Sequence, residues 1–313
     1  MPKYLAMIDD KTVEKHTWPE GEAVLWVDLG DEEKDELQDI VNRLYRAHPV
    51  AVEKVLQGHE RPSGFLIEQD AIVAVISDPT ANVADKTRRP IGLFFGQRFL
   101  VTTHFHGDNG LIDTTWNKAI KENMLEQGLD FALYYLLYNH LRHFYQATRQ
   151  IGQDFERLHV ELLREPTKNL ALKIVDLRKK TYWLYKVIRP EIKIFALLKE
   201  HIPYIKRVNR PYFEDLYSQI EEILTDVEAY RDGLEGMVEA FSGMQSNEIN
   251  KVMKFLTIIS VLALPATTIA SIYGMNFWIP EIHWHYGYWY SLIVMFLVTV
   301  ALLLYMQRNR WFR

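Results

Sequence analysis

The sequence predicts an α+β protein: an N-terminal α/β domain, a long helical layer, a stalk helix and two C-terminal helices of membrane-spanning length. Three observations predict it. Short β-rich runs crowd the first part of the chain, and a helical pattern holds through most of the rest. Most of the charge lies before Lys254, so the C-terminal stretch is almost bare of it. The averages over 313 residues, 48% hydrophobic and 25% charged, look ordinary and conceal this division. A formal net charge of -5 argues against nucleic acid as a partner, which would need a clustered basic surface. There is no cysteine, so disulfides and thiolate metal sites are excluded. The opening MPKYLAMIDDKTVEK lacks the apolar core of a signal peptide, which leaves membrane insertion to the C-terminal segments.

In chain order the segments are 1–110, an α/β domain; 111–205, an antiparallel helical layer; 206–273, a stalk continuous with a first span; 274–286, a loop; 287–306, a second span; and 307–313, a basic tail. Strand signals fall at Val24–Asp28, Gly64–Glu68, Ile72–Ser77, Ile91–Phe95 and Phe99–Thr103. A helix is expected from Glu32 to Tyr45, capped by Asp31, with acids in its first turn to match the dipole. The acids there (Asp31, Glu32, Glu33, Asp35, Glu36) are either a solvated helix start or a metal site. From Thr114 the pattern is helical, with breaks near Pro166 and Pro203. Pro190 either kinks the second long helix or lies in a first turn.

After Pro211 the apolar residues Leu216, Ile220, Ile223, Val227, Tyr230, Leu234, Met237, Phe241 and Met244 alternate steps of four and three. That 3.5-residue repeat marks a left-handed supercoil. A helix from Tyr212 to Tyr273 would run ~93 Å at 1.5 Å per residue, a length that needs support from neighbouring helices. A second seam keeps the same alternation: Glu239, Gly243, Ser246, Asn250, Met253, Thr257, Ser260, Leu264, Thr267 and Ser271. Its hydroxyls either bond backbone carbonyls and neighbouring helices or line a water-filled axis. Two spans cannot enclose such an axis, so the second reading requires a ring of subunits.

Phe255–Tyr273 and Gly287–Met306 contain no charged residue, and each can cross a hydrocarbon core ~30 Å thick. The alternative is a buried hairpin in a soluble core. Lys251 and Lys254 precede the first run; Arg308, Arg310 and Arg313 follow the second. The loop between them has no Lys or Arg but carries Glu281, His283 and His285. The positive-inside bias then puts both termini in the cytosol and the loop outside, in a multi-pass protein of the plasma (inner) membrane. Trp278, Trp284, Tyr286, Tyr288, Trp289 and Tyr290 fit an interfacial belt in contact with membrane lipid, or ligand contacts.

The first span ends in Tyr273-Gly274-Met275-Asn276-Phe277. Chemically this is a helix end, with Gly for the turn and Asn tolerant of a left-handed backbone. Its place after a hydroxyl-bearing span and before a short loop resembles the CorA family of Mg2+ channels. Pro211-Tyr212-Phe213, Met253-Lys254, Leu256-Thr257-Ile258-Ile259 and Ile272 to Phe277 carry the likeness; upstream, Trp26-Val27-Asp28-Leu29 is a local echo. The resemblance implies a funnel-shaped homopentamer, with Gly274, Met275 and Asn276 as an external selectivity ring for hydrated divalent cations. Mg2+ keeps several waters when bound, which suits contact through its hydration shell. Asn250, Met253, Leu256, Ser260, Leu264, Thr267 and Ser271 would line the pore, with Met253 and Leu256 as a gate closing by dewetting. The heptad itself favours Thr257 over Leu256; the resemblance favours Leu256. Glu239 would be an inner-funnel acid, Asp215 and Asp78 an inter-subunit site for regulatory Mg2+, and Glu281 an external loop acid.

The helical layer Glu122–Glu165 departs from strongly acidic relatives in carrying Arg142, Arg149, Arg157 and Arg164, and the tail is thinly basic. The expected function is divalent cation uptake, chiefly Mg2+ with Co2+ and Ni2+ as further candidates, and without an organic cofactor. No phosphate-cradling G-x-x-x-x-G-K-[ST] run supports ATP hydrolysis. The rivals are a Zn2+ transporter of the ZntB type, a membrane-tethered enzyme and a scaffold. HExxH, GxSxG and GxGxxG are all missing from the chain, so the expectation is a protein that is not an enzyme.

Overall fold

The computed structural model describes residues 2–8, 10–19, 24–58, 63–79, 89–105, 110–164, 167–200, 202–276, 278–280, 284–309 and 311. Pro166, Phe277, Glu281, His283, Arg310 and Arg313 lie outside the described residues. The chain forms two compact units, Met1–Val238 and Glu239–Arg313.

In the first unit seven strands build one sheet: β1 (Lys3–Ile8), β2 (Lys11–Lys15), β3 (Leu25–Leu29), β4 (Gly64–Ile67), β5 (Ala71–Asp78), β6 (Arg89–Gly96) and β7 (Phe99–Thr103). Their order is β2-β1-β3-β7-β6-β5-β4. Every pairing is antiparallel except β3 with β7. β3, β5 and β7 are buried along their whole length, which is why they read as apolar runs rather than alternating ones. On one face lie α1 (Leu37–Leu44) and α2 (Pro49–Leu56). Leu37, Val41, Val52 and Val55 share a core there with Val27, Val73, Phe94 and Val101. The other face takes α3 (Gly110–Lys121), α4 (Met124–Gln127), α5 (Leu129–Arg164) and α6 (Lys168–Lys199). Trp26 meets Trp116 of α3 edge-on at 4.9 Å and donates its indole N–H to Thr102.

The expected helix Glu32–Tyr45 is corrected at both ends. Asp31–Glu36 winds as a 3-10 turn, and α1 stops at Leu44 because Tyr45 is extended. The cap is Gly30, not Asp31: the Gly30 N–H donates to the Glu33 carboxylate at 2.9 Å, so one of the acids reaches back to satisfy the entry. Of the two places open to Pro190 the structure takes the first: it lies well inside an undivided α6, far from its first turn. α6 begins at a Thr167 cap whose hydroxyl accepts the Leu170 N–H at 3.2 Å.

The long helix α7 (Arg210–Tyr273) enters the first unit through a polar junction. The buried Asp130 carboxylate accepts the Lys206 N–H at 2.8 Å and the Asn209 amide at 2.9 Å. Phe213, Leu216, Ile220, Ile223, Val227, Leu234 and Met237 are its buried residues, which are members or neighbours of the first expected seam. α5 and α7 run parallel and lock through glycine. Tyr230 of α7 sits over Gly152 of α5, and Phe155 of α5 sits over Gly233 of α7. The two rings are 5.6 Å apart. A Cβ on Gly233 would lie 2.7 Å from the Phe155 ring, whereas one on Gly236 meets nothing within 4 Å. Gly233→Ala should therefore destabilise the full-length protein by about 1–3 kcal/mol through overpacking. Gly236→Ala should be neutral or stabilising by up to about 1 kcal/mol from helix preference. Thermal unfolding of the two variants side by side checks this, and equal effects would refute the glycine lock.

Candidate functional site

The second unit consists of the C-terminal part of α7 and of α8 (Gly287–Arg308), joined by a loop. Both helices are long and apolar enough to cross a membrane. None of the most apolar stretch of α7 is buried within the chain. Asn250, Met253, Leu256, Ser260, Leu264, Thr267 and Ser271 are all exposed, as is Glu239. Met253 and Leu264 are 60% and 63% exposed, values that no single folded chain in water would sustain along a whole helix.

The hydroxyls of this seam are not idle. Thr257 donates to the Met253 carbonyl at 2.8 Å, Ser260 to Leu256 at 2.9 Å, and Thr267 to Leu264 at 2.9 Å and Ala263 at 3.2 Å. Thr268 donates to the same Leu264 carbonyl at 2.8 Å. Leu264 O is thus an acceptor for two hydroxyls, on the residue that precedes Pro265. Each hydroxyl spends its proton on the helix and keeps its oxygen lone pairs, so the exposed edge offers acceptors. Waters around a divalent cation are strong donors, and acceptors are what they need.

At the helix end the Gly274 N–H reaches the Ala270 carbonyl at 2.9 Å and the Met275 N–H reaches Ile272 at 3.2 Å. The left-handed exit expected here is not used, since neither Gly274 nor Asn276 has a positive φ. The two N–H groups satisfy the last carbonyls without it. Gly274, Met275 and Asn276 are exposed, and Glu281 lies outside the described residues.

The two regulatory candidates occupy different surroundings. Asp215 is exposed on α7, and its carboxylate accepts the Gln219 side-chain amide at 2.6 Å. Burial, and then the Asp215 charge, raise the Tyr134 hydroxyl above the usual phenol range, which puts Asp215 beside an aromatic patch. Tyr134 and Tyr212 of that patch are 4.9 Å apart. Asp78, one residue beyond the expected strand Ile72–Ser77, is the last residue of β5, paired with Arg89 of β6. It is 4% exposed, with its carboxylate 3.1 Å from His143 Nδ1 of α5. Among the described residues no three His, Asp or Glu side chains converge to hold a metal ion.

One buried cluster escaped the sequence reading. Glu191 of α6 and His140 of α5 are fully buried and 2.7 Å apart. Glu191 also accepts the Ser63 hydroxyl at 2.9 Å and the Ser77 N–H at 2.7 Å, tying α5 and α6 to β5. The available signal was phase: His140 falls on the stripe of α5 that carries Leu133, Leu136, Leu137 and Phe144. A charged or polar residue in a core phase asks for a partner.

An α/β unit with a helical layer, followed by two helices of spanning length with a hydroxyl-bearing edge, is the build of a two-span membrane transport protein. The chain belongs to the family described as CorA-like Mg2+ transporter protein, which matches residues 21–308. It is 27% identical over 292 residues to the cobalt/magnesium transport protein CorA of Thermotoga maritima, covering 91% of this chain and 83% of that one. It is 25% identical over 294 residues to the putative metal ion transporter YfjQ of Bacillus subtilis, covering 92% and 89%. The fold is that of the complete CorA magnesium transporter from Methanocaldococcus jannaschii, with a TM-score of 0.81 at 21% identity over 99% of this chain and 98% of that one. The ZntB cytoplasmic domain from Vibrio parahaemolyticus shares the fold of the soluble part, with a TM-score of 0.62 at 12% identity over 78% and 98%.

The contrast between the two aspartates is measurable. Asp78→Asn should cost about 1–3 kcal/mol of folding stability in the presence of a chelator, because it disturbs a buried partner. Asp215→Asn, at an exposed site, should change stability by less than about 0.5 kcal/mol under the same conditions. Unfolding of both variants in chelator tests the assignment; equal losses would remove it.

Proposed function

We propose that this chain conducts hydrated divalent cations, chiefly Mg2+, inward across a membrane through an axis lined by the exposed edge of α7. The observation that carries the reading is the run of carbonyl-bonded hydroxyls that ends on Gly274-Met275-Asn276. One such edge cannot enclose water, so the functional form is a ring of copies; the family's funnel-shaped homopentamer fits. Five Asn276 amides at the mouth would accept from the first-shell waters of the ion, which Mg2+ releases reluctantly. Met253 and Leu256 would form the dewetting gate, with Asn250 beside it and Ser260, Leu264, Thr267 and Ser271 along the path. Glu239 would raise the local cation concentration in the inner funnel. Both termini lie in the cytosol in this reading, with Gly274 to Tyr286 outside and Glu281 in that loop.

No coupled reaction is needed. A divalent cation entering down 100 mV gains ~4.6 kcal/mol, twice the single-charge value of ~2.3. That sustains roughly a 2,000-fold gradient at 1.36 kcal/mol per decade. Closure by cytosolic Mg2+ is assigned to Asp215 at a subunit boundary, where a bridging cation relieves carboxylate repulsion. Asp78 can join it only by releasing His143, so Asp215 is the stronger candidate. Zn2+ transport of the ZntB kind is the second reading, favoured by the likeness of the soluble fold.

Flux into sealed vesicles holding the purified full-length protein decides between them. Mg2+ should enter faster than Zn2+, and Asn276→Ala should slow Mg2+ at least about tenfold, the weight of 1.4 kcal/mol spread over a ring of lost acceptors. Wild-type protein that is folded yet passes no cation would end the channel reading, and preferred Zn2+ entry would favour the second. Asp215→Ala should weaken inhibition by internal Mg2+ while leaving uninhibited flux near wild type. Unaltered inhibition would take Asp215 out of the mechanism.

A further inference from the structure

We propose that the groove between α5 and α7 in the first unit binds a polyphosphate that carries a divalent cation, a magnesium-bound nucleoside triphosphate being the member that fits it. The groove encloses about 490 Å3, within the range of small-molecule sites. Its α5 wall presents Tyr138, Arg142, Tyr145 and Arg149, alternating steps of four and three and so forming one stripe ~16 Å long. Its α7 wall presents Glu222 and Asp226, and Leu141 and Ile223 are buried at its floor. The contacts of Tyr134 with Phe213 and of Gly152 with Tyr230 set a parallel register. That register brings Arg142 about level with Glu222, and Arg149 about level with Asp226.

These opposite charges face each other without meeting. Elsewhere on the same helices charged residues do close on partners, as Arg157 does on Asp154 at 3.3 Å and Arg178 of α6 on Glu235 at 3.3 Å. Among the described residues none of the four groove charges makes such a pair. A bare anion entering the groove would be repelled by the two carboxylates, and a bare divalent cation by the two guanidiniums. A metal–polyphosphate presents both signs at once. Its phosphates match the guanidinium forks. Its hydrated cation faces carboxylates, which Mg2+ contacts with waters retained. A base would lie against the tyrosine rings, where stacking is tolerant of ring identity.

This site lies wholly in the first unit and its test reads binding, so it stands or falls apart from the transport reading. Full-length protein in detergent is titrated by calorimetry with Mg-ATP, with Mg-tripolyphosphate, and with ATP in chelator. Saturable binding of Mg-ATP is expected with a Kd on the order of 0.1–1 mM. Arg142→Ser and Arg149→Ser should each weaken it about tenfold, the weight of one charge-assisted contact. Glu222→Gln with Asp226→Asn should weaken Mg-ATP yet tighten ATP in chelator, a reversal that loss of structure would not produce. Tripolyphosphate should bind less tightly than ATP, and Tyr145→Ala should narrow that difference. The four charged side chains are exposed, so the variants keep the fold, which their unfolding temperatures verify. No saturation by about 10 mM Mg-ATP, or unchanged affinity in the double Arg variant, overturns the site. Equal affinity for tripolyphosphate overturns the nucleoside assignment, and loss of the reversal overturns the cation assignment.

Discussion

The hydroxyl hydrogen bonds inside the spanning part of α7 are the constraint on which the rest depends. Four side chains between Thr257 and Thr268 give their protons to carbonyls three or four residues back, so the polar edge is self-satisfied as a donor. That permits it to lie at membrane depth without another helix to receive it. The oxygens remain polar, however, and large apolar side chains on the same helix are exposed beside them. On the proposed transport reading one helix meets two kinds of neighbour, lipid or apolar helix on one side and water on the other. The proposed ring of copies would supply both with a single interface type, because closed symmetry turns one edge into an axis.

The first unit answers a different demand, holding the N-terminal part of a long helix firmly. Its sheet is covered on both faces, and the helical layer is fastened to it by polar contacts as well as packing. Glu191 is the clearest fastening. A buried carboxylate with three hydrogen-bond partners (His140, Ser63 and the Ser77 backbone) loses much if any one of them moves away. The layer is consequently fixed in one position on the sheet, and the Asp78–His143 contact one residue further along β5 strengthens the same seam.

The sequence disclosed most where a single period governed many residues. The 3.5-residue repeat forecast six of the side chains that α7 buries, from Leu216 to Met237, while Tyr230, Phe241 and Met244 of the same repeat are only partly covered; uncharged length forecast two helices of spanning size. It disclosed least where a few local bonds decide the outcome. Composition favoured Asp31 as a cap, but Glu33 could reach back to Gly30 and the acids wound as a 3-10 turn instead. Pro190 left two places open, and only the fold chose the interior of an undivided α6 over a first turn. Asp78 was placed just past a strand; only pairing with Arg89 and proximity to His143 reveal a buried strand end. Contacts of that kind join residues far apart in the chain, and no local pattern encodes them. The arginines of α5 were visible from the start as an anomaly of charge, and their place in a groove with Glu222 and Asp226 emerged only with the helix opposite.

The paired notches of Gly152 and Gly233 have a mechanical consequence. Each helix holds an aromatic ring from the other, so sliding along the common axis would drive both rings against backbone at once. The junction resists translation in either direction while leaving the outer side chains free. α5 and α7 therefore behave as a two-stranded lever whose arms cannot creep past each other. Any displacement imposed at the exposed face of α7 must appear as a tilt or turn of both together.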